Sequence, residues 1–136
     1  IAWQNDNQAF YYIKKDPQTL LGYQVYRHVL GTPQTSDELI YEEADSAYYT
    51  SISKNKDGQQ VYIWHSSTET SGVSIIDANN PNAKAEAFYP REKGVEYSIA
   101  KLEDWYYIYT NYQAVNFRLM KATSEDTHDR SKWVDV

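Results

Sequence analysis

An all-β fold assembled from repeated four-stranded antiparallel sheets follows from three features of this sequence. Aromatics make up 15% of its 136 residues and tyrosine alone fills 14 positions, a bias that suits a pleated surface better than a helix. Short apolar runs recur in groups of four at roughly 45-residue intervals, the spacing of β-propeller blades. No segment sustains a helical period. The expected architecture is a β-propeller fragment of about three four-stranded antiparallel blades, divided as residues 1–45, 46–92 and 93–136.

The first unit opens with the hairpin-like pair IAWQNDNQAFYYIKKD and continues through YQVYRHVL to ELIYEE. Only SDELIYEEA hints at a short helix, and it is read as strand. The second unit holds the pair YYTSISKNKDGQQVYIWHSS, then SGVSIIDA and EAFYPRE. Its strongest turn signal is Asp57-Gly58, because Gly tolerates the positive φ of a primed hairpin turn. The third unit runs VEYSIAKLEDWYYIYTN, VNFRLMKA and KWVDV, with Glu103-Asp104 as a two-residue polar turn. Matching positions set the period: Val25 to Val73 is 48 residues, Val73 to Phe117 is 44, and Ile40 to Phe88 is 48. Pro17, Pro33, Pro81 and Pro90 fall mostly between runs, where a missing N–H breaks no ladder bond.

The run WYYIY (residues 105–109) lacks the polar alternation of a sheet with one wet face. In a propeller each sheet is stacked between neighbours, so Trp105, Tyr107 and Tyr109 are expected to meet one neighbour, and Tyr106 and Ile108 the other. Three blades cannot close a ring. The outer faces of the first and last blades would stay bare, and the fragment is expected to self-associate through them and through free strand edges.

The formal net charge of −6 argues against nucleic acid as a partner, which calls for a basic stripe. The absence of cysteine removes disulfides, thiol nucleophiles and thiolate zinc sites. No window reaches the roughly 18 apolar residues of a membrane span, and no leader pattern precedes a cleavage site. A soluble chain is expected, in the cytoplasm or, as the alternative, the periplasm, with no membrane partner and no cofactor. It begins at Ile1, and both ends read as strands. Excision from a longer chain is the expectation, a processed mature N-terminus the alternative.

Residues with catalytic potential are few. The string Gly72-Val-Ser74-Ile-Ile lacks the second glycine of a nucleophile elbow. His28 and His65 fall within strand runs and His128 in the polar loop SEDTHDR, without the spacing of a metal pair. Carboxylates cluster at Glu42, Glu43 and Asp45, and again at Glu125, Asp126 and Asp129. Opposed carboxylates can hydrolyse glycosides, but neighbouring ones on a strand end usually form a solvated face. Arg27 and Arg91, the latter beside Glu92, are read as strand-fixing ion pairs, with contact to another domain as the alternative. No catalytic, cofactor-binding or metal-binding residue is assigned. A sugar-stacking surface would also use Tyr and Trp. Yet Tyr11, Tyr12, Tyr62, Trp64, Trp105, Tyr106 and Tyr107 sit at equivalent places in the second strand of each unit, which points to core.

Longer strings carry a resemblance. YQVYRHVLGTPQTSDELIYEEAD (residues 23–45), PREKGVEYSI (90–99) and TNYQAVNFRL (110–119), with the opening residues 1–28, are similar to the propeller of the oligopeptidase B (protease II) group of the prolyl oligopeptidase family. That resemblance spans the chain. It implies a seven-bladed propeller over an α/β-hydrolase domain of the same polypeptide, in which a serine, histidine and aspartate cleave short peptides after Lys or Arg. Every one of those catalytic residues belongs to the hydrolase domain. The chain itself is then expected to be inactive, serving as scaffold and substrate-size gate. The alternatives are a propeller segment of a protein-interaction scaffold, which would more often carry Trp-Asp or kelch signatures, and an aromatic carbohydrate-binding β-sandwich.

Overall fold

The computed structural model describes all 136 residues and contains three four-stranded antiparallel sheets, each contiguous in sequence. Sheet I is built from β1 (Ala2–Trp3), β2 (Ala9–Lys15), β3 (Gly22–Val29) and β4 (Glu38–Glu42). Sheet II comprises β5 (Tyr49–Lys54), β6 (Gln60–Ser66), β7 (Ser71–Asp77) and β8 (Glu86–Ala87). Sheet III comprises β9 (Tyr97–Leu102), β10 (Trp105–Thr110), β11 (Arg118–Thr123) and β12 (Val134–Asp135). Strands pair in sequence order within each sheet, so every connection is a hairpin. No helix is long and apolar enough to cross a membrane.

Two apolar cores separate the sheets. Between I and II lie Ala2, Tyr11, Val25, Val61, Ile63, Ile76 and Ala78. Tyr62, Val73, Phe88, Tyr97, Ile99, Tyr106, Ile108, Met120, Ala122 and Trp133 fill the space between II and III. Sheet II therefore gives residues of one strand to both: Val61 and Ile63 point to sheet I, Tyr62 to sheet III. A strand buried on both sides needs no polar alternation, and that is why VYIW can be so uniformly apolar.

The third sheet departs from the sequence expectation. Tyr106 and Ile108 pack against sheet II, whereas the opposite face of β10 meets no further sheet, and Tyr109 is 52% exposed. Local cover replaces a neighbour there: the Lys121 ammonium lies 4.4 Å from the Trp105 ring centre, and Phe117 stacks on Tyr109 at 5.0 Å.

Turn chemistry and strand ends differ in detail. Glu103-Asp104 forms the two-residue turn between Leu102 and Trp105, with Glu103 at a φ of 56°. The Asp57-Gly58 signal marks a longer loop: Gly58 has φ 74°, but Asn55 N–H closes on the Gln60 carbonyl, and the Asp57 carboxylate accepts from Gln59 N–H. The residue before Gly58 has no positive φ, so this is not the primed two-residue turn. SDELIYEEA is strand from Glu38 onward, preceded by a three-residue 3-10 turn, Gln34–Ser36. Phe117, placed in a strand by the period, lies outside β11 at φ 66°. The fourth strands are short; in sheet II only Glu86 and Ala87 form β8, with Phe88 N–H donating to the Val73 carbonyl.

Antiparallel order fixes two ends. Loops joining first to second and third to fourth strands share one end; those joining second to third strands share the other with the inter-sheet links 43–48 and 88–96.

Candidate functional site

The densest polar constellation spans sheets I and II. Glu43 follows β4 immediately, and its side chain is 4% exposed. Arg91, 48 residues later in the link after β8, reaches back with NH1 2.5 Å from Oε1 and NH2 3.2 Å from Oε2. This two-pronged pairing is the geometry in which Arg binds carboxylate best. Tyr41 Oη donates to Glu43 at 3.0 Å and Asp45 N–H at 3.2 Å. Behind the guanidinium lies the Tyr48 ring, its centre 3.7 Å away.

This cluster corrects one expectation. Glu43, grouped in the sequence with Glu42 and Asp45 as a solvated face, is buried because an arginine from the next sheet neutralises it. Arg91 makes the strand-fixing ion pair expected of it, with Glu43 across the sheets, while its neighbour Glu92 pairs with Arg130 at 3.0 Å. A 48-residue separation gives no local signal, although it is the blade period itself. Burial by itself would raise the Glu43 carboxyl, but hydrogen bonds from Arg91, Asp45 N–H and Tyr41 outweigh it and hold the group below the ordinary carboxylate range.

His65 on β6 completes the cluster. Its ring stacks parallel on Tyr41 at 5.8 Å, Nδ1 faces Arg91 NH1 at 3.5 Å, and Nε2 lies 3.4 Å from Ser74 Oγ on β7. Gly72 is required beside it, since a Cβ there would sit 2.6 Å from the His65 ring. A Ser–His pair with a carboxylate nearby has the composition of a hydrolytic triad, but its polarity is reversed. The position of the orienting acid is held by a guanidinium, whereas a general base must be stabilised as imidazolium. Burial, and then the positive Arg91, depress the His65 pKa to about 4. Ser74 and His65 are both buried, out of contact with solvent from which a substrate would approach. What this arrangement does is tie two sheets together.

The remaining sequence-selected residues are scattered. His28 Nδ1 lies 2.6 Å from Asp37 Oδ1, and Tyr12 Oη donates to the other oxygen at 2.5 Å, on the side of sheet I away from sheet II. Desolvation pushes the Asp37 carboxyl up, yet hydrogen bonds from Tyr12 and His28 prevail and lower it; Tyr12 is correspondingly pushed up to about 12 by desolvation and then by Asp37. Arg27 donates through Nε to Gln4 Oε1 at 3.0 Å rather than to a carboxylate. Glu42 accepts from Gln24 at 2.7 Å. Asp126 pairs with Lys132 at 3.5 Å, and Asp129 caps the 3-10 turn Arg130–Lys132 through Ser131. Glu125 is exposed. His128 is also exposed and borders a cleft of about 490 Å³ between sheets II and III, with Gln60, Lys84, Lys101 and Tyr106. A smaller cleft of about 260 Å³ lies at the opposite end, between the β2–β3 loop of sheet I and the link 43–48, bordered by Asp16, Glu42, Glu43, Asp45 and Tyr48.

Comparison with known proteins gives this arrangement a setting. The family model for the N-terminal β-propeller domain of prolyl oligopeptidase matches residues 1–136. The chain is 37% identical over 136 residues to dipeptidyl aminopeptidase BI of Pseudoxanthomonas mexicana, covering 99% of the chain and 18% of that protein. It is 34% identical over 112 residues to protease 2 of Moraxella lacunata, covering 82% and 16%. Among solved structures it is similar to oligopeptidase B from Leishmania major, with TM-score 0.89 and 33% identity over 99% of the chain and 19% of that structure. Oligopeptidase B from Trypanosoma brucei superposes with TM-score 0.83 and 28% identity, over 93% and 18%. The chain thus spans less than a fifth of the length of each of these four relatives.

Proposed function

The chain belongs to the prolyl oligopeptidase N-terminal β-propeller family, and we propose that it is a non-catalytic propeller segment of a serine oligopeptidase that cleaves short peptides after Lys or Arg. In this reading the segment is scaffold and substrate-size gate over a hydrolase domain of the same polypeptide. The blades of the segment are proposed to divide after Asp45 and after Glu92.

One observation supports the reading above the rest: sheet II is covered on both faces by sheets of the same kind, and the Arg91–Glu43 clamp locks the first of those contacts. Stacking of this type continues around an axis. Blades tied by buried polar clamps as well as apolar cores resist being pushed apart, which is what a size filter needs. Acidic side chains at Glu42 and Asp45 fit a supporting role in drawing basic peptides toward the enzyme. On its own, the 136-residue chain is proposed to self-associate through the aromatic outer faces of sheets I and III.

The test uses the full-length parent enzyme with Lys- and Arg-containing peptides of graded length. Cleavage after Lys or Arg that fades with increasing length is expected. Equal cleavage of long folded proteins would overturn the gate, and no preference for basic residues would overturn the specificity.

A further inference from the structure

We infer that the cleft between sheets II and III binds a basic amino acid, free or as the C-terminal residue of a short peptide. Its carboxylate meets Tyr106 and Lys101, and its side-chain cation meets Asp77 and Glu86. The inference goes beyond the oligopeptidase reading and does not rest on it.

Strand register builds the two walls. Residues paired directly across an antiparallel ladder share a face. On sheet II Gln60 pairs with Asp77 and Ile75 with Glu86; on sheet III Lys101 pairs with Tyr106. Gln60 and Ile75 turn toward sheet III, and Tyr106 turns toward sheet II. Each therefore brings its charged partner into the same space, and all six line the cleft. Both walls belong to this chain, so the cleft needs no further blade to form it.

The corresponding end of the junction between sheets I and II is closed. Asn5, in the loop after β1, donates through its N–H to the Ala78 carbonyl and through Nδ2 to the Gly58 carbonyl and Asn79 Oδ1, and it accepts from Lys54 Nζ. Loops 55–59 and 78–85 make no such bond to 103–104 or 124–133. The gap left between sheets II and III, about 490 Å³, is of the size that small molecules occupy.

One buried hydroxyl is aimed into it. Asn55 Oδ1 accepts from Gln60 N–H at 3.0 Å, so Asn55 Nδ2 faces Gln60 Oε1 at 3.4 Å, where Tyr62 Oη also donates at 3.0 Å. That fixes the Gln60 amide with Nε2 toward Tyr106 Oη, 2.7 Å away. Tyr106 thus accepts from Gln60, and its own proton has no acceptor in the chain. The residue is 5% exposed, and a tyrosine hydroxyl that deep ordinarily finds a partner. An anion in the cleft supplies it.

Charge completes the description of the ligand. Asp77, Lys84, Glu86 and Lys101 line one cleft with opposite signs, yet none is ion-paired within the chain. A molecule with a carboxylate at one end and a cation at the other, joined by an aliphatic stem along Ile75 and Phe88, matches both walls. Lys84, in the loop before β8, adds to the attraction for the carboxylate.

Amide hydrogen exchange on the full-length parent enzyme, with L-arginine, L-citrulline and agmatine as probes, tests the assignment. Citrulline keeps the carboxylate and loses the side-chain charge; agmatine keeps the guanidinium and loses the carboxylate. L-arginine at about ten times its Kd is expected to slow exchange at 60–62, 84–87 and 101–106 by about tenfold, and the other two to leave it unchanged. Tyr106→Phe, which removes only the hydroxyl, should weaken arginine binding about tenfold. Lys101→Gln, at a partly exposed position, should also weaken it and leaves the fold undisturbed. No slowing by arginine, equal slowing by all three probes, or undiminished binding in both variants overturns the site. Slowing of the same segments by the dipeptide Ala-Arg upholds it with a peptide C-terminus as ligand; slowing by arginine alone upholds it for the free amino acid. An active peptidase whose cleft ignores arginine sinks this inference alone. Arginine binding in a parent devoid of peptidase activity leaves the site standing and removes the oligopeptidase reading.

Discussion

Arg91 and Glu43 show how a residue pair can matter more than its sequence neighbourhood suggests. Removing one partner of a buried pair leaves the other charged and desolvated, a larger penalty than the pair's own net worth. Since Arg91 is partly exposed, Arg91→Met should lower unfolding free energy by about 2–3 kcal/mol, read from the urea midpoint. The double variant Arg91→Met with Glu43→Leu should recover part of that loss. His65 adds a pH signature. Its pKa is depressed from 6.5 to about 4 by burial and then by Arg91, so the unfolded chain binds the extra proton more readily than the folded one. Its contribution is complete above the unfolded value and is lost as pH falls from about 6.5 toward 4, on the order of 3 kcal/mol in full. Melting temperature should fall across that window in the native chain and much less in His65→Gln. Arg91 was legible as a strand-fixing residue but its partner Glu43 was not, because a 48-residue gap leaves no local pattern and a run of acidic residues after a strand reads as solvated. The correct identification of His65 as a strand residue rested only on its apolar neighbours.

At the scale of elements, aromatic runs located the second strands correctly but could not tell which faces are covered. VYIW and WYYIY look alike as strings, yet β6 is buried on both sides and β10 on one. The difference lies in what stands next to each sheet, which no window of sequence contains. Energetics should follow the structure. Ile63→Ala on β6 removes a fully buried side chain and should cost about 2–5 kcal/mol, whereas Tyr109→Ser on the outer face of β10 should stay within about 1 kcal/mol. Denaturation of the two variants side by side checks this, and comparable losses would mean that β10 is covered as thoroughly as β6. The short fourth strands were harder to place. EAFYPRE contains only two ladder residues because Phe88 turns its ring into the core against Tyr106 and Trp133, and periodicity cannot register that change of duty.

For the whole molecule, the repeat was the legible feature: three groups of four runs became three four-stranded sheets in chain order. Glu43 and Arg91 are themselves 48 residues apart, the same interval as Val25 to Val73. The central physical claim is lateral stacking, with sheet II clothed on both sides. The absence of cysteine from the chain allows a direct measurement: single near-isosteric substitutions Val61→Cys, facing sheet I, and Val73→Cys, facing sheet III, with Val115→Cys as an exposed reference. Thiol labelling under native conditions should leave both 61 and 73 protected by orders of magnitude relative to 115. If either 61 or 73 reacts as fast as 115, one face of the middle sheet is open to water, and the stacked arrangement is contradicted.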